Sequence, residues 1–276
     1  MSRAAFMATG GDPFVSLFFF YFFEKVWQDE VDKLYIHYNS PISEEIANFV
    51  KGRMTKNPKV VWDYLPYWIG NGLPFTRLLE KSNEDLILFL EDDGFIFKKG
   101  IVDSCFKKIE SGEYDAVGSP RGSCGFEIIE ASTKKYNLDM TKYGDVGPNF
   151  WPNFFFCKRS DLLKTDKDLG SKAWQAGDYI KELDYTCQSE QCGDTMVWMC
   201  MQLRAMGLKF LEVPQWKAAV TEVENKANRQ GYWIEEPFGW IHAGSLSSGW
   251  DGFLKRDFGL IEAELQIMEL ETRVTF

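Results

Sequence analysis

The sequence predicts a mixed α/β fold in which a mostly parallel central sheet is flanked by helices. Short runs rich in β-branched and aromatic residues alternate with longer helical patterns through the first two-thirds of the 276 residues. One run, Leu86 to Leu90, is apolar at every position, as is typical of a central strand covered on both faces. Because no repeat, low-complexity tract or linker divides the chain, we expect a single domain over 1–276.

The first strand is expected at Arg3 to Thr9. Gly10 and Gly11 then form a turn that lets the backbone come close to a ligand. Asp12 can cap the helix that follows, and Pro13 suits its first position, where a missing N–H removes no hydrogen bond. Apolar residues recur at helical spacing on one face of this helix: Val15, Phe18, Phe19, Phe22 and Val26.

The next elements extend the sheet. We expect the second strand at Leu34 to Tyr38, a short third strand at Val60 to Trp62, and a helix that begins near Pro74. The fourth strand, Leu86 to Leu90, runs directly into Glu91-Asp92-Asp93. Ligands bind at the carboxyl ends of strands in open α/β sheets, so these carboxylates lie where a binding site is expected.

Beyond residue 95 the pattern becomes an α+β mixture with loops rich in glycine, proline, asparagine and aromatic residues. Asp194 can cap a helix that Gly207 ends, and a strand is expected next, at Lys209 to Val213. The tail from Phe253 to Thr272 is predicted to form a surface helix.

The charge balance excludes one class of partner. Lys and Arg number 31 against 41 Asp and Glu, which gives a net charge of -10 and a pI near 4.9. Nucleic-acid-binding proteins instead cluster positive charge against the phosphate backbone. We therefore expect no nucleic-acid partner.

The lack of a readable targeting signal and the pattern of cysteines predict a cytoplasmic protein. The most apolar stretch, Val15 to Phe23, is about half the length that a membrane helix needs, and residues 1–10 contain no readable export signal. Six cysteines lie mostly in segments that look buried or helical, so reduced thiols are expected, although Cys187 and Cys192 could clip a loop. Neither histidine has zinc-finger spacing to a cysteine pair.

The acidic triplet suits a particular chemistry. Transfer of a sugar from a nucleotide diphosphate places negative charge on the leaving diphosphate, and a hard divalent cation with oxygen ligands stabilises that charge. In an extended segment Glu91 and Asp93 share a face. We expect Asp93 to ligate Mn²⁺ or Mg²⁺ directly and Glu91 to act through water or on the sugar and ribose. An acidic solvated turn is the structural alternative, and the apolar strand before it favours the site.

Four segments occur in a recognisable order: the Thr9 to Asp12 turn, Leu86 to Asp93, Asn153 to Arg159, and Gly193-Asp194 opening a helix that ends at Gly207. In this order and spacing the chain resembles the GT-A glycosyltransferases, which have a Rossmann-like sheet and an Asp-x-Asp or Glu-Asp-Asp metal-binding signature. The resemblance implies a hexosyltransferase-like enzyme with a nucleotide diphosphate-sugar donor and a carbohydrate or glycoconjugate acceptor. It divides the chain into a donor half (1–95), an acceptor half (96–250) and a C-terminal helix (251–276).

The resemblance also implies roles at the reacting end of the site. In inverting members a carboxylate near the start of the helix after the acceptor loop deprotonates the acceptor hydroxyl. Asp194 matches this place, with Glu190 as a second candidate because the usual Glu-Asp pair is Gly193-Asp194 here. A plain helix cap remains the structural alternative for Asp194. His242, in a Gly/Ser-rich loop, matches a residue that completes the metal site or meets the diphosphate, although a lone histidine is more often an incidental surface or core residue.

The remaining implied contacts concern the nucleoside, the diphosphate and the sugars. Donor contacts are expected at Thr9, Gly11, Asp12, Asp63, Arg77 and Asp92, although Arg77 could instead pair with Glu80 or Glu84. Acceptor or sugar contacts are expected at Trp151, Asn153, Phe154 and Trp240, although most tryptophans belong to cores.

Two other functions stay open from the sequence. A nucleotidyltransferase that makes nucleotide sugars shares the architecture, but it normally carries a Gly-rich loop followed by Arg and Lys after strand one. Here that turn is acidic, with no nearby Lys or Arg. A noncatalytic carbohydrate-binding protein that uses the carboxylates for calcium is the second alternative.

Overall fold

The computed structural model describes residues 1–9, 13–39, 44–70, 72–120, 126–142, 150–166, 168, 170–190, 192–213, 215–217, 229–232 and 239–243. The strands are β1 (Arg3–Thr9), β2 (Lys33–Asn39), β3 (Val60–Leu65), β4 (Leu86–Glu91), β5 (Gly94–Ile96), β6 (Ala116–Pro120), β7 (Phe150–Lys158), β8 (Tyr179–Ile180), β9 (Tyr185–Thr186), β10 (Phe210–Glu212), β11 (Gln215–Lys217), β12 (Arg229–Tyr232) and β13 (Trp240–Ala243). The α-helices are α1 (Pro13–Phe22), α2 (Glu44–Met54), α3 (Leu73–Lys81), α4 (Ile101–Glu110), α5 (Phe126–Tyr136), α6 (Arg159–Leu162) and α7 (Val197–Ala205).

A seven-stranded sheet with the order β10-β6-β7-β4-β1-β2-β3 organises the molecule. β7 is antiparallel to its neighbours β4 and β6, and every other pair in this sheet is parallel. The predicted fold class, a mixed and mostly parallel sheet flanked by helices, is therefore confirmed. A smaller antiparallel sheet has the order β11-β12-β13-β5.

Both faces of the large sheet are covered, because successive residues of β4 enter different cores. Leu86, Leu88 and Leu90 join the core formed with α1, α2 and α4. Ile87 and Phe89 join the core formed with α3 and α7 on the other face. This double burial explains why β4 is apolar throughout and confirms the central position that its composition predicted.

The helix after β1 departs from the predicted apolar face at its end. α1 continues into a π-helical turn at Phe23–Trp27 and a 3-10 turn at Gln28–Glu30. Because a π turn contains more residues than an α turn, the buried face shifts along the sequence. Trp27 is fully buried in the core as a result, whereas Val26 is only partly buried.

Two element boundaries were predicted wrongly. β3 extends to Leu65, so Asp63 lies within the strand and not after it. α7 begins at Val197, and the residue before it, Met196, has a left-handed φ of 66° without a side-chain cap. Asp194 is therefore not the helix cap. The predicted end is confirmed, because Gly207 has a φ of +75° just after α7.

Of the helices within the described ranges, none has both the length and the apolar character that a bilayer span requires. The cytoplasmic location stays a prediction, as does the division of the chain into a donor half and an acceptor half. The predicted C-terminal helix lies outside the described residues.

The start of α3 is packed backbone to backbone against the segment that leads toward α7. A Cβ placed on Gly72 would lie 1.4 Å from the carbonyl oxygen of Ser171. The hydroxyl groups of Thr76 and Ser171 also hydrogen-bond across this contact at 2.5 Å. The carboxyl end of the sheet and the segment before α7 are thereby held together.

We expect Gly72→Ala to lower the free energy of unfolding by about 1–3 kcal/mol, because backbone atoms must move to admit the methyl group. Gly52→Ala in α2 is the matched control, since nothing lies within 4 Å of its Cβ position. That change should raise stability by about 0.5–1 kcal/mol through helix propensity. Urea unfolding of both variants is the measurement, and equal effects would contradict the tight contact at Ser171.

Candidate active site

A row of polar residues crosses the face of the sheet that carries α3. The strand registers pair Glu91 with Ala8, Ala8 with His37, and His37 with Asp63. Paired residues of neighbouring strands point to the same face, so their side chains lie side by side near the carboxyl ends of the strands. Asn153 of β7 extends the row on the far side of Glu91 through side-chain hydrogen bonds.

Asn153 fixes Glu91 with both ends of its amide. Its Oδ1 accepts the backbone N–H of Glu91 at 3.0 Å, and its Nδ2 donates to Glu91 Oε2 at 2.7 Å. Asn153 is fully buried, so this pairing is shielded from water. The predicted sugar contact at Asn153 is thus in place to orient the first carboxylate of the triplet.

Asp92 is held from the opposite face of the sheet. Its Oδ2 accepts a hydrogen bond from the hydroxyl of Thr9 at the end of β1. The Ser16 hydroxyl on α1 lies 2.7 Å from the Thr9 hydroxyl and 3.4 Å from Asp92 Oδ2. Two hydroxyl groups therefore surround one carboxylate oxygen, and this compensates for the burial of Asp92, which is 1% exposed.

Asp93 ends the triplet in the turn between β4 and β5 and is 4% exposed. Directly after it, Gly94 of β5 pairs in register with His242 of β13. The backbone pairing thus brings the predicted histidine beside the predicted ligand Asp93. The side chain of His242 lies outside the described residues, so its role as a ligand stays a prediction.

The carboxylates of the triplet suit a hard cation whose coordination is completed by phosphate groups of a substrate. Among the described residues, no three His, Cys, Asp or Glu side chains are grouped to hold a metal by themselves. Mg²⁺ in phosphate-handling sites is usually held by one or two carboxylates, with substrate phosphates and water completing its coordination, and carboxylate also suits Mn²⁺. Asp93 and Glu91 provide oxygen ligands of this kind, so the residues present fit the predicted metal.

Asp63 is the buried centre of a charge cluster. It receives hydrogen bonds from His37 Nδ1 at 2.5 Å, from Arg77 Nε at 3.1 Å and Nη2 at 3.3 Å, and from Lys81. Burial alone would raise the pKa of the Asp63 carboxyl, but the bonds from Arg77, Lys81 and His37 outweigh burial and hold that pKa well below its usual value. Asp63 is therefore ionised, and Arg77 pairs with it in place of Glu80 or Glu84.

His37 is neutral in this cluster. Burial lowers the pKa of its imidazole, and the positive charges of Arg77 and Lys81 lower it further, against the opposing effect of Asp63. Because an ionised carboxylate can only accept, Nδ1 carries the proton that reaches Asp63. His37 thus helps to fix Asp63.

The two candidate bases differ in their surroundings. Asp194 is half-buried, and its Oδ1 accepts the backbone N–H of Thr195 at 2.8 Å. Glu190 is exposed, between Cys187 and Cys192. A Cβ on Gly193 would lie 2.2 Å from Ile128 Cδ1, which explains on packing grounds why glycine precedes Asp194.

One expectation about the cysteines was wrong. Cys187 and Cys192 form a disulfide, with their Cα atoms 5.6 Å apart, instead of remaining reduced. The five-residue separation between them is short enough for the disulfide to clip a small loop, which was the alternative that the sequence left open. Cys105, Cys157 and Cys200 are buried and form no disulfide, as expected.

Two of the predicted acceptor residues are core residues in this structure. Phe154 and Trp240 are fully buried, and their ring centroids lie 5.1 Å apart. Their rings pack against each other and not at the surface. Gly11 and Asp12 lie outside the described residues, and so does the side chain of Trp151.

Sequence reasoning missed Ser16 and Lys81 as members of the site. Ser16 could have been found, because it is the one polar residue in the apolar run from Val15 to Phe23. Lys81 is four residues after Arg77 on α3 and therefore shares its face.

The comparisons with known proteins found a likeness in fold alone. No family profile matches the sequence, and no curated protein matches it. A mannosyltransferase from Pyrobaculum calidifontis in complex with GDP-Man and Mn²⁺ is 11% identical, with a TM-score of 0.48, over 77% of this chain and 54% of that one. S. aureus TarS 1-349 is 10% identical, with a TM-score of 0.41, over 59% of this chain and 49% of that one.

The TarS complex with UDP-GlcNAc is 13% identical, with a TM-score of 0.35, over 44% of this chain. The chain matches between 34% and 54% of the length of these three structures. At these identities the likeness says nothing about what this chain binds.

The Asp63 cluster leads to a stability prediction. Asp63→Asn should lower the free energy of unfolding at pH 7 by about 2–4 kcal/mol, because three donors lose an ionised acceptor. Lys81→Ala should cost about 1 kcal/mol or less, since its ammonium group is partly exposed. Urea unfolding of both variants measures the difference.

A comparison of the wild type with Asp63→Asn at different pH values gives a second test, whose sign is defined by the lowered pKa of Asp63. Because folding lowers the pKa of Asp63, its ionised carboxylate stabilises the folded state at pH values above the pKa of an unfolded aspartate, about 3.9. That stability is lost progressively as the pH falls below about 3.9 toward the folded pKa, so the wild type should lose about 1 kcal/mol more than Asp63→Asn does between pH 5 and pH 3, and more again below pH 3. Parallel pH profiles would contradict the assigned role of Asp63.

Proposed function

We propose that the chain is a metal-dependent glycosyltransferase that moves a sugar from a nucleotide diphosphate-sugar to a hydroxyl group of a carbohydrate or glycoconjugate, with inversion. One observation carries the proposal. Glu91, Asp92 and Asp93 follow the central strand β4 at its carboxyl end, and the first two are oriented by Asn153 and Thr9. Carboxylates fixed in this way support binding without reorganisation when a ligand arrives.

Each carboxylate then has its own task. Asp93 would hold the divalent cation, with Glu91 acting through water or on the sugar and ribose, and His242 completing the site. A bound cation would neutralise the negative charge that develops on the leaving diphosphate. Asp92, fixed by Thr9, would accept hydrogen bonds from the donor.

The Asp63 cluster borders the site on the same face. Through the register of β1, β2 and β3, Asp63 stands two strands from Ala8 and three from Glu91. Arg77 already uses Nε and Nη2 for Asp63, so a phosphate contact would come from the rest of its guanidinium group. This arrangement supports a role for the cluster in shaping the donor side.

The candidate base, Asp194, lies in the segment just before α7. α7 packs on the face that carries α3, and the backbone N–H groups of Met196 and Met199 bond to Ser171 and Gly170 beside the start of α3. Asp194 belongs to the proposed acceptor half by its place in the sequence, shortly before α7. As a general base it would take the proton of the acceptor hydroxyl, which then attacks the anomeric carbon opposite the diphosphate. Glu190 remains the second candidate.

Asp93→Asn should weaken Mn²⁺-dependent binding of nucleoside diphosphates by about 100-fold or more, because an amide is a poor ligand for a hard cation. Titration calorimetry with UDP and GDP, with and without Mn²⁺, is the measurement. Asp161→Asn is the matched control, since Asp161 is also buried but pairs with Lys164 away from the triplet. Unchanged affinity in Asp93→Asn would remove the basis of the proposal.

Asp194→Asn should reduce turnover by about two to four orders of magnitude, because the amide keeps the bond to the Thr195 N–H but cannot take a proton. Donor binding and melting temperature should stay nearly unchanged. Steady-state transfer rates are the measurement, with Glu190→Gln assayed in parallel. Near-normal turnover in Asp194→Asn together with a loss in Glu190→Gln would move the base to Glu190.

A further inference from the structure

A groove of about 420 Å³ lies beside the candidate base and outside the acidic triplet. Its volume falls within the range of about 300–1,000 Å³ that is usual for small-molecule sites. The groove has both apolar and charged lining residues: Leu163, Thr165, Asp166, Trp174, Tyr179, Ile180, Lys181 and Glu182.

The groove offers an oriented aromatic ring. Tyr179 is 54% exposed, which leaves a large aromatic face open to a ligand. Its hydroxyl donates to Asp184 Oδ1 at 2.7 Å, which favours one orientation of the ring. Leu163 adds a second apolar surface and is 41% exposed. A flat ligand face can pack against these groups without ordering them first.

The wall of the groove is rigid. The β8–β9 hairpin carries Tyr179, and the Cys187–Cys192 disulfide closes the loop directly after it. Trp174 exchanges backbone hydrogen bonds with Gly193 at 2.6 and 3.2 Å. The ammonium group of Lys172 lies 4.7 Å from the centroid of the Trp174 ring, which fixes the indole further.

The same backbone pairing connects the groove to the candidate base. Gly193, which pairs with the groove residue Trp174, directly precedes Asp194. A ligand in the groove would therefore lie on the acceptor side of the site. The buried Nε1 of Trp174 also has no hydrogen-bond partner among the residues that the structure describes, which is uncommon for a buried donor.

The charges of the lining select the class of ligand. Asp166 and Glu182 outnumber Lys181, and the chain as a whole carries a net charge of -10, so an anionic ligand is disfavoured. A wholly apolar ligand would cut the three charged groups off from water, which carries a large desolvation cost for ions. Hydroxyl groups can donate to carboxylates and accept from an ammonium group, and a sugar ring also has an apolar face for Tyr179.

We propose that this groove binds a neutral saccharide and extends the acceptor site beyond the reacting hydroxyl group. The binding of saccharide follows from the groove itself. Only its identification as the acceptor rests on the proposed function.

Saturation-transfer NMR with four neutral disaccharides, namely cellobiose, lactose, maltose and N,N′-diacetylchitobiose, tests the proposal. At least one should receive saturation from the wild type, and the signal should fall about tenfold in Tyr179→Ala. Tyr179→Phe keeps the ring and should keep most of the signal. Tyr21→Ala on α1, which removes a tyrosine of 49% exposure elsewhere, should leave the signal unchanged. No transfer to any disaccharide, or an undiminished signal in Tyr179→Ala, would overturn it.

The Asp93→Asn variant separates this proposal from the proposed function. It should keep the disaccharide signal and lose Mn²⁺-dependent nucleotide binding, while Tyr179→Ala should show the reverse. If Asp93→Asn binds nucleotides normally and Tyr179→Ala still loses the disaccharide signal, saccharide binding in the groove is supported and the proposed transferase function is contradicted.

Discussion

The need to stabilise three successive carboxylates at the end of a buried strand governs the arrangement of this molecule. Carboxylates lose hydration when they are buried, and hydrogen bonds must replace it. The Thr9 hydroxyl meets Asp92 from one face of the sheet, and the Asn153 amide meets Glu91 from the other. These partners come from β1 and β7, the two strands that flank β4, so the sheet order itself provides them.

The central sheet thus has two chemically distinct zones. Its middle is apolar on both faces, where β4 alone contributes to two cores. Its carboxyl edge is polar on the α3 face, where Asn153, Glu91, His37 and Asp63 stand in one row interrupted only by Ala8. The two apolar cores enclose the middle of the sheet, and the polar side chains lie at its carboxyl edge. The contacts of Ser171 with Gly72 and Thr76 hold the segment before α7 against the start of α3.

The parts of this arrangement that depend on local pattern could be predicted from the sequence. The continuous apolar run of β4 indicated its central place, and the carboxylates directly after it were correctly expected at the carboxyl end. Features that depend on contacts between distant residues were missed. The sequence did not show that β3 continues through Asp63, because the hydrogen bonds from His37 and Arg77 to Asp63 join residues that are far apart in the chain. The cap expected at Asp194 failed because Gly193 is held by Trp174 and Ile128, which delays the helix until Val197.

The pairing of β13 with β5 has a consequence for how the molecule folds. The residues beside the triplet are joined there to Trp240–Ala243, far along the chain, whereas β1, β2, β3 and β4 are neighbours in sequence. Closing so long a loop has an entropic cost that must be met before the strands gain their hydrogen bonds. The parallel strands β1 to β4 can therefore assemble first, and β13, which carries His242, joins β5 later. A chain in which only β1 to β4 have assembled would hold Asp92 through Thr9, before Asn153 of β7 and β13 reach the triplet.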